Sequence, residues 1–407
     1  MNWSGIGRAV VSGMGLVLVT SPFAGDSIAA GRIRPSDSAP TAPEPFIRIS
    51  PDGRGFQLGA AGARFVPWGF NYDRDHRMRL LEDYWHEEWE TVAGDFREMK
   101  ALGANVVRVH LQFGRFMRSV TEPDAHNLAQ LDRLLALAEQ TGLYLNLTGL
   151  GCYHKQAVPP WYDALSEAER WSAQAVFWQA VATRCARSPA VFCYDLMNEP
   201  VVPAGRNPPG GWLGPPFAGK HYVQFISLES TGRDRPSIGR QWVERLVQAI
   251  RVHDTRHLVT VGLVDWSLDR PGLTSGMVPA RIAGPLDFLC VHLYPRTGKQ
   301  REDLETLAGF TAVGKPVVIE ETFPLQCSMA SFAGFIEASR PHAAGWLGFY
   351  WGKTIEELGA GTNSLADALT KQWLEFFQAQ TPRVAQTAPP ATLTPFRTNH
   401  GPAAENR

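Results

Sequence analysis

Two apolar stretches of the sequence end in a carboxylate. Residues 191–197 lead into Asn198-Glu199-Pro200, and residues 316–319 lead into Glu320-Glu321. Short, largely apolar runs are typical of buried strands in a parallel sheet, and a carboxylate at the C-terminal end of such a strand is typical of an active-site rim. Paired carboxylates let one group donate a proton while the other stays ionised, as the hydrolysis of a glycosidic bond requires. Alone, residues 198–200 would also suit a helix N-cap or a turn.

The tandem Glu320-Glu321 leaves two choices for the second carboxylate. Side chains of a strand alternate between its two faces. Val317 and Ile319 therefore share one face with Glu321, whereas Val318 shares the other face with Glu320. The pattern alone does not indicate which face points towards a common site.

The two carboxylates must be positioned by elements that alternate along the chain. Strand-like and amphipathic helix-like segments follow one another, and a Gly- and Pro-rich insertion at 201–232 comes directly after the first carboxylate. The pattern predicts strands at 64–70, 105–111, 143–147, 191–197, 257–264, 286–293, 316–321 and 344–351. It predicts helices at 85–102, 128–137, 166–187, 238–252, 304–310, 332–338 and 365–377.

Eight strands in this alternation predict a single-domain α/β fold, a (β/α)8 TIM barrel with a long loop after strand 4. An open doubly wound sheet is the alternative. No GxGxxG motif follows the first strand, and polar residues occur at many strand ends rather than at one switch point, so the barrel is favoured. In a barrel, Glu199 and Glu321 would face each other across one basin.

Composition indicates a globular protein without a nucleic-acid partner. The 407 residues are 44% hydrophobic and 19% charged with a net charge of -1, so the chain has no basic field for a polyanion. Thirteen tryptophans suit either a core or the flat aromatic faces of a carbohydrate site. The five cysteines are widely spaced and show no zinc pattern, which leaves a disulfide open.

The two ends of the chain have the composition of non-domain segments. Residues 1–30 resemble a secretory signal, with Arg8 before an apolar stretch and small residues at 27–29. We therefore expect a secreted or periplasmic protein without stable membrane insertion; anchoring to a membrane by the N-terminus is the alternative. Residues 31–45 and 381–407 are rich in Pro, Ser, Thr and Ala and are expected to be a disordered linker and tail around a domain at 46–380.

An ordered set of motifs resembles glycoside hydrolase family 5, the cellulase-like group within a wider clan of (β/α)8 retaining β-glycoside hydrolases. The set comprises Val107-Arg108, Asn198-Glu199-Pro200, His292-Leu293-Tyr294, Glu321 and Trp351, in the order of the family. The resemblance implies that Glu199 is the acid/base and Glu321 the nucleophile. Members with two adjacent glutamates at the second position use the second one.

The resemblance also implies supporting roles for five residues. Arg108 would contact the nucleophile, Asn198 would bind the sugar 2-hydroxyl, and Tyr294 would hydrogen-bond the nucleophile. His292 would support that network, and Trp351 would form a stacking floor for the sugar. Each has a purely structural alternative: a salt bridge that closes the barrel for Arg108, a core histidine for His292, and an aromatic plug for Trp351.

Two departures from the family pattern leave the substrate open. The Asp-x-His of many cellulases is replaced by Asn146-Leu147-Thr148, and Thr322-Phe323-Pro324 follows the nucleophile in place of an aromatic-Gly pair. The 201–232 insertion matches no subgroup and is expected to determine what the enzyme accepts. Further candidates for sugar contacts, each individually more typical of a structural residue, are Trp68, Asp73, His76, His110, Trp161, Trp212 and Trp266.

The implied function is a retaining glycoside hydrolase that cleaves β-glycosidic bonds of an oligo- or polysaccharide such as a β-glucan or mannan. It needs no cofactor and no metal, and its oligomeric state is open. A catalytically inactive carbohydrate-binding TIM barrel is the alternative, disfavoured because both carboxylates are present. A phosphate-handling barrel would need a Gly-rich loop after strands 7 and 8, which 323–325 and 352–354 do not supply.

Overall fold

The computed structural model describes residues 46–59, 62–360 and 364–385, with the backbone alone at 385. The expected signal segment, the linker at 31–45 and residues 386–407 of the expected tail lie outside the described residues. Within the described part of the chain, no helix combines the length and apolarity needed to cross a membrane. The five cysteines all lie in this part, and all are unpaired.

Eight parallel strands form a closed barrel, which confirms the predicted TIM barrel and excludes the open sheet. The barrel closes where the last strand pairs with the first, with Trp346 opposite Trp68. The strands are β1 (Trp68–Tyr72), β2 (Val106–Gln112), β3 (Tyr144–Gly151), β4 (Val191–Asn198), β5 (Leu258–Val264), β6 (Leu289–His292), β7 (Val317–Glu321) and β8 (Gly345–Phe349).

The first predicted strand divides into two. Arg64–Phe65 pairs with Phe56–Leu58 in a small antiparallel sheet that also contains Ile47–Ile49, and β1 begins only at Trp68. Pro67 lies between the two pieces, and a proline cannot donate a ladder hydrogen bond.

Helices connect successive strands on the outside of the barrel. They are α1 (Trp89–Ala101), α2 (Ala125–Thr141), α3 (Glu167–Cys185), α4 (Arg235–Arg251), α5 (Pro279–Ile282), α6 (Gln300–Thr311), α7 (Met329–Ser339) and α8 (Leu365–Ala385). Three further short α-helices lie in the loops of the described part of the chain, at Phe113–Phe116, Pro160–Asp163 and Ile355–Ala360. The single turn of α5 was not predicted. The last helix continues to Ala385, past the expected domain boundary at 380.

Side-chain caps explain where several helices begin. Asp124, Asp234 and Ser328 each accept a hydrogen bond from a backbone N–H in the first turn of α2, α4 and α7. A capping box begins α3, because Ser166 and Glu169 satisfy each other's backbone N–H groups. Each cap supplies an acceptor to an N–H that has no partner inside the helix.

The interior of the barrel is apolar at its base and polar above. The small antiparallel sheet covers the base, where the ring of Phe56 lies 5.1 Å from the rings of both Phe192 and Phe288 in edge-on contact. One step further along the strands, the interior contains Arg108, Asp195 and other buried polar residues. A charged layer therefore lies on the apolar base, and the C-terminal ends of the barrel strands lie above that layer.

Replacing Phe56 by Ala should lower the free energy of unfolding by about 3–5 kcal/mol, because it removes a fully buried ring from the base of the barrel. Denaturant unfolding would measure the change. Phe217→Ala is the matched control: that ring is 71% exposed, and its removal should change the free energy by no more than about 0.5 kcal/mol. Equal effects of the two substitutions would contradict the assignment of Phe56 to the core.

Candidate active site

A cavity of about 330 Å³ opens at the C-terminal ends of the barrel strands. Side chains that follow β1, β4, β6, β7 and β8 converge there, as the barrel topology requires. The lining residues are Asp73, Arg74, His110, Glu199, Pro215, Phe217, Tyr222, Val223, Tyr294, Glu321, Phe323, Leu325, Phe349 and Trp351.

The two sequence-predicted carboxylates meet in this cavity. One oxygen each from Glu199 and Glu321 and one ring nitrogen of His292 lie within 4.8 Å of one another. Glu199 has φ +48°, a left-handed conformation that a non-glycine residue adopts only when its surroundings enforce it. The enforcing contacts are backbone bonds: the N–H of Glu199 donates to Gly262 O at 3.0 Å, and its carbonyl accepts from Gln224 N at 3.3 Å.

Glu321 is held through both of its carboxylate oxygens. Arg108 Nη1 donates to Oε1 at 2.6 Å, and the Tyr294 hydroxyl donates to Oε2 at 2.6 Å. The side chain is still 11% exposed and lines the cavity. These contacts match those that the family resemblance implied for Arg108 and Tyr294.

Glu320 lies below the cavity and is fully buried. It accepts a hydrogen bond from Asn146 Nδ2 at 2.5 Å and lies 3.4 Å from both Arg108 Nε and His292 Nε2. Burial alone would raise the pKa of Glu320, but the charges of Arg108 and His292 outweigh burial and lower it. Of the tandem pair, therefore, Glu321 reaches the cavity and Glu320 belongs to the charged layer.

Arg108 links four other strands of the barrel, β1, β3, β4 and β7, to its own strand, β2. Its guanidinium is fully buried, and burial alone would lower its pKa, but the carboxylates of Glu320, Asp195 and Glu321 raise the pKa well above its usual range. Burial and the charge of Glu320 raise the pKa of Asp195. The guanidinium donates to Glu321 Oε1 at 2.6 Å, Thr148 Oγ1 at 2.7 Å, Asp195 Oδ2 at 2.8 Å, Asn71 Oδ1 at 2.9 Å and Asn198 Oδ1 at 3.0 Å.

His292 is a second buried cation between the carboxylates. Burial alone would lower its pKa, but Glu321, Glu199 and Glu320 outweigh burial and raise it to about 10. Protonated, the ring donates from Nδ1 to Glu199 Oε1 at 2.9 Å and from Nε2 towards Glu320 Oε2 at 3.4 Å. Glu199, His292 and Glu321 also have the spacing of metal ligands, and a metal bound there would have to displace the proton of His292.

Gly262 leaves the space that this network occupies. A Cβ atom at this position would lie 2.9 Å from His292 Nε2, 3.0 Å from Glu320 Oε2 and 3.1 Å from Arg108 Nη2. The N–H of Gly262 also donates to Asp195 Oδ1 at 2.7 Å. A larger residue on β5 would therefore displace charged groups that have no alternative partners in a buried layer.

Asn198 and Trp351 have additional partners within the protein. Asn198 is 1% exposed, and its Nδ2 donates to the backbone carbonyl of Tyr222 at 3.1 Å while its Oδ1 accepts from Arg108. Trp351 lines the cavity and donates from Nε1 to Asp73 Oδ1 at 3.0 Å. The Arg74 guanidinium carbon lies 4.4 Å from the centre of the Trp351 ring system. Asn198 thus lies beneath the cavity, whereas Trp351 contributes to its wall.

Of the seven further candidates from the sequence, Asp73 and His110 line the cavity and the other five do not. Trp68 and Trp212 are buried elsewhere, and Trp68 stacks on Phe377. Position along the strands distinguishes these two candidates from the other five. Asp73 directly follows β1, and His110 lies two residues after Arg108 on the same face of β2. Phe323 and Phe349, which also line the cavity, were not recognised as site residues, because their types are equally common in cores.

The 201–232 loop forms part of the cavity wall. Pro200–Val201 pairs with Gln224–Phe225, and the buried Trp212 anchors the loop by donating from Nε1 to Asp163 O at 3.1 Å. Four loop residues reach the cavity: Pro215, Phe217, Tyr222 and Val223.

A family model for cellulase (glycosyl hydrolase family 5) matches residues 69–383. The chain belongs to glycoside hydrolase family 5. The match spans the whole barrel and confirms the resemblance inferred from the motifs. As a family 5 member the protein is a glycoside hydrolase with a carbohydrate substrate.

Solved structures with the same fold include several mannan-degrading enzymes. An exo-β-1,4-mannosidase from an Opitutaceae bacterium is 20% identical with a TM-score of 0.58, over 83% of this chain and 63% of the mannosidase. An endo-1,4-β-mannanase from Rhizomucor miehei is 18% identical with a TM-score of 0.57, over 82% and 99% of the two chains. A β-1,4-mannanase from the sea hare Aplysia kurodai is 18% identical with a TM-score of 0.54, over 74% and 92%. No curated protein sequence matches significantly.

The charge on His292 predicts a pH-dependent contribution to the stability of this family 5 barrel. Its folded-state pKa of about 10 lies above the ordinary value of 6.5, so the stabilisation is complete below pH 6.5 and is lost as the pH rises to about 10. The unfolding free energy of wild type minus that of His292→Gln should therefore fall across this window in denaturant titrations.

His110→Gln provides the matched control for that series. Burial, together with Arg108 and His292, holds the pKa of His110 well below its usual range, so His110 is neutral in both folded and unfolded states above pH 6.5. The difference between wild type and His110→Gln should be flat from pH 7 to 10. A flat profile for His292→Gln as well would show that His292 is not a buried cation.

Proposed function

We propose that the protein is a retaining β-glycosidase in which Glu199 is the acid/base and Glu321 the nucleophile. The observation that carries the proposal is the separation of their carboxylates, which have oxygens within 4.8 Å of each other. Retaining enzymes place the two groups about 5–5.5 Å apart, whereas inverting enzymes separate them by about 6.5–9.5 Å to admit a water molecule between sugar and base.

The environments of the two glutamates suit different roles. Glu321 has a donor on each oxygen, Arg108 on one and Tyr294 on the other, which stabilise negative charge and fix the orientation of the attacking group. Within the described part of the chain, the Glu199 carboxylate accepts one side-chain hydrogen bond, from His292, and the side chain is 17% exposed in the cavity. Glu199 is thus the carboxyl group that a leaving oxygen or a water molecule can reach.

The reaction would proceed in two displacements. A Glu321 oxygen attacks the anomeric carbon, the bond to the leaving oxygen breaks, and Glu199 gives its proton to that oxygen. Glu199 then takes a proton from water as the water oxygen attacks the same carbon and releases Glu321. Two inversions leave the anomeric configuration of the sugar unchanged.

The proposed substrate is a β-linked mannoside or glucoside. Mannan-degrading enzymes among the structures of the same fold favour the mannosides, and the apolar cavity wall of Phe323, Phe349 and Trp351 suits the faces of a pyranose ring. The proposal includes export through residues 1–30, with anchoring by the N-terminus as the alternative. Because both carboxylates are in place, an inactive binding barrel finds no support.

Substitution of the two glutamates should affect the two steps differently. Glu199→Ala should lower kcat/KM on an aryl β-glycoside with a poor leaving group by about 10²–10⁴-fold, because protonation is lost. It should affect a dinitrophenyl glycoside much less, because that leaving group needs no proton. Glu321→Ala should lose activity on both substrates. Steady-state kinetics on the two glycosides would measure the contrast.

The covalent intermediate gives an independent check, with Glu320 as the internal control. A 2-deoxy-2-fluoro glycoside should label Glu321 and leave Glu320 unmodified in peptide mass spectra. The first sugar detected by NMR from a β-glycoside should be the β-anomer. Initial release of the α-anomer, or a label on Glu320, would sink the assignment.

Shortening the loop should alter substrate range before it abolishes chemistry. A variant lacking 214–222 removes Pro215, Phe217 and Tyr222 from the cavity and retains Trp212 and the paired segments at 200–201 and 224–225. Hydrolysis of a small aryl glycoside should persist, while the preference among oligosaccharides changes in a competition assay. Loss of aryl glycoside cleavage with unchanged oligosaccharide preference would contradict this role.

A further inference from the structure

We infer that the cavity is a blind pocket for one terminal sugar, so that the enzyme removes single residues from a chain end, and that Asp73 and His110 bind the hydroxyls of that sugar. The inference rests on the proposed glycosidase function and specifies its substrate. It is carried by a continuous side-chain wall and by two polar groups on that wall with unused hydrogen-bonding capacity.

The wall runs across the ends of β1 to β4. The Tyr222 hydroxyl, from the loop after β4, lies 3.5 Å from Asp73 Oδ2, which directly follows β1. The Tyr222 ring packs 5.0 Å from the ring of Tyr153, and the Tyr153 hydroxyl lies 2.5 Å from His110 Nδ1 on β2. Because β1 and β4 are three places apart in the barrel, these contacts block the path of a polysaccharide over that side.

Backbone and side-chain bonds hold the wall in place. The N–H of His221 donates to Tyr153 O at 2.9 Å, and Asn198 Nδ2 donates to Tyr222 O at 3.1 Å. Gln224 Nε2 donates to Leu150 O at 3.1 Å. The loop after β4 is therefore tied to the loop after β3 and to the charged layer beneath the cavity.

His110 presents an unpartnered donor in the cavity. The residue is 3% exposed and lines the cavity, and its Nε2 has no hydrogen-bond partner within the described part of the chain. The ring is neutral, and its Nδ1 faces the Tyr153 hydroxyl, which makes no other hydrogen bond among the described residues. In the tautomer that we infer, that hydroxyl donates to Nδ1 and the proton of the ring lies on Nε2. A buried N–H without an acceptor is unfavourable unless a ligand supplies one.

Asp73 presents the complementary acceptor. It is 6% exposed, and its Oδ1 accepts from Trp351 Nε1 at 3.0 Å. Among the described residues, its Oδ2 has only long contacts, 3.5 Å to the Tyr222 hydroxyl and 4.0 Å to Arg74 Nε. A sugar hydroxyl both donates and accepts, so Asp73 Oδ2 and His110 Nε2–H together suit a polyol.

The dimensions and the rim agree with a single-sugar pocket. A volume of about 330 Å³ lies near the lower end of the roughly 300–1,000 Å³ of ligand sites. Phe217 and Leu325, which also line the cavity, are 71% and 55% exposed and mark its open side. The leaving group would exit past these apolar side chains.

The test is to identify the early products from β-1,4-linked manno- and gluco-pentasaccharides that carry a label at the reducing end. Cleavage of the aryl β-monoglycosides is measured in parallel. Monosaccharide and labelled tetrasaccharide should be the only early products. A pentasaccharide whose terminal non-reducing sugar carries a 4,6-O-benzylidene group should resist. Early labelled di- and trisaccharides would overturn the inference while leaving the glycosidase intact. Failure to cleave any aryl monoglycoside or pentasaccharide would instead overturn the proposed function and the inference with it.

Variants of the wall separate blockage from binding. Tyr222→Ala should open the wall and yield internal cleavage products, whereas Tyr222→Phe, which keeps the ring, should retain release of single sugars. Asp73→Asn and His110→Ala should raise KM for the aryl monoglycoside about 10- to 100-fold each, and His110→Gln, which restores an N–H donor, should recover part of that loss. The single-sugar pocket would be refuted if KM were unchanged in both Asp73→Asn and His110→Ala and if Tyr222→Ala still released only single sugars.

Discussion

The buried guanidinium of Arg108 is the interaction on which the upper half of the barrel depends. It joins side chains from β1, β3, β4 and β7 to β2, so the position of Glu321 is set by the same group that holds Asn198 and Asp195. A buried charge is stable only when its partners remain in place, and removal of one side of such a pair typically costs about 3–5 kcal/mol. The positions of β4 and β7, the strands that lead into Glu199 and end in Glu321, therefore depend on the buried contacts of Arg108.

A second cation resolves the conflict that paired carboxylates create. Whenever both carboxylates are ionised, oxygens within 4.8 Å of each other repel by at least about 3 kcal/mol at an effective dielectric constant of 20. His292 lies against both Glu199 and Glu321, and its positive charge offsets that repulsion in the free enzyme. The absence of a side chain at Gly262 gives this ring its place, so a glycine on β5 is as much a part of the site as the acids.

The fold and the two carboxylates could be predicted because both follow from local patterns: alternating segments and polar residues at strand ends. Other features depended on long-range contacts that no local pattern contains. Asp195 lies within a run that is otherwise apolar, and only the barrel interior brings it to Arg108. Asn198 is predicted to bind the sugar 2-hydroxyl, but the bonds of its amide to Arg108 and to the Tyr222 carbonyl are long-range contacts that the motif does not contain. Strand alternation could not separate Glu320 from Glu321, because depth in the barrel distinguishes them.

The loop after β4 contributes both to the cavity wall and to the backbone conformation of Glu199. It begins two residues after Glu199, at Val201, and the pairing of Pro200–Val201 with Gln224–Phe225 returns the chain to the same place. The backbone of Glu199 is held in its left-handed conformation from two sides, by Gly262 of β5 and by Gln224 of the loop. The loop that we propose to determine which sugar enters thus also stabilises the backbone of the proposed acid/base. Changes in the loop that preserve residues 224–225 can alter the pocket without moving Glu199, whereas changes at 224–225 act on both at once.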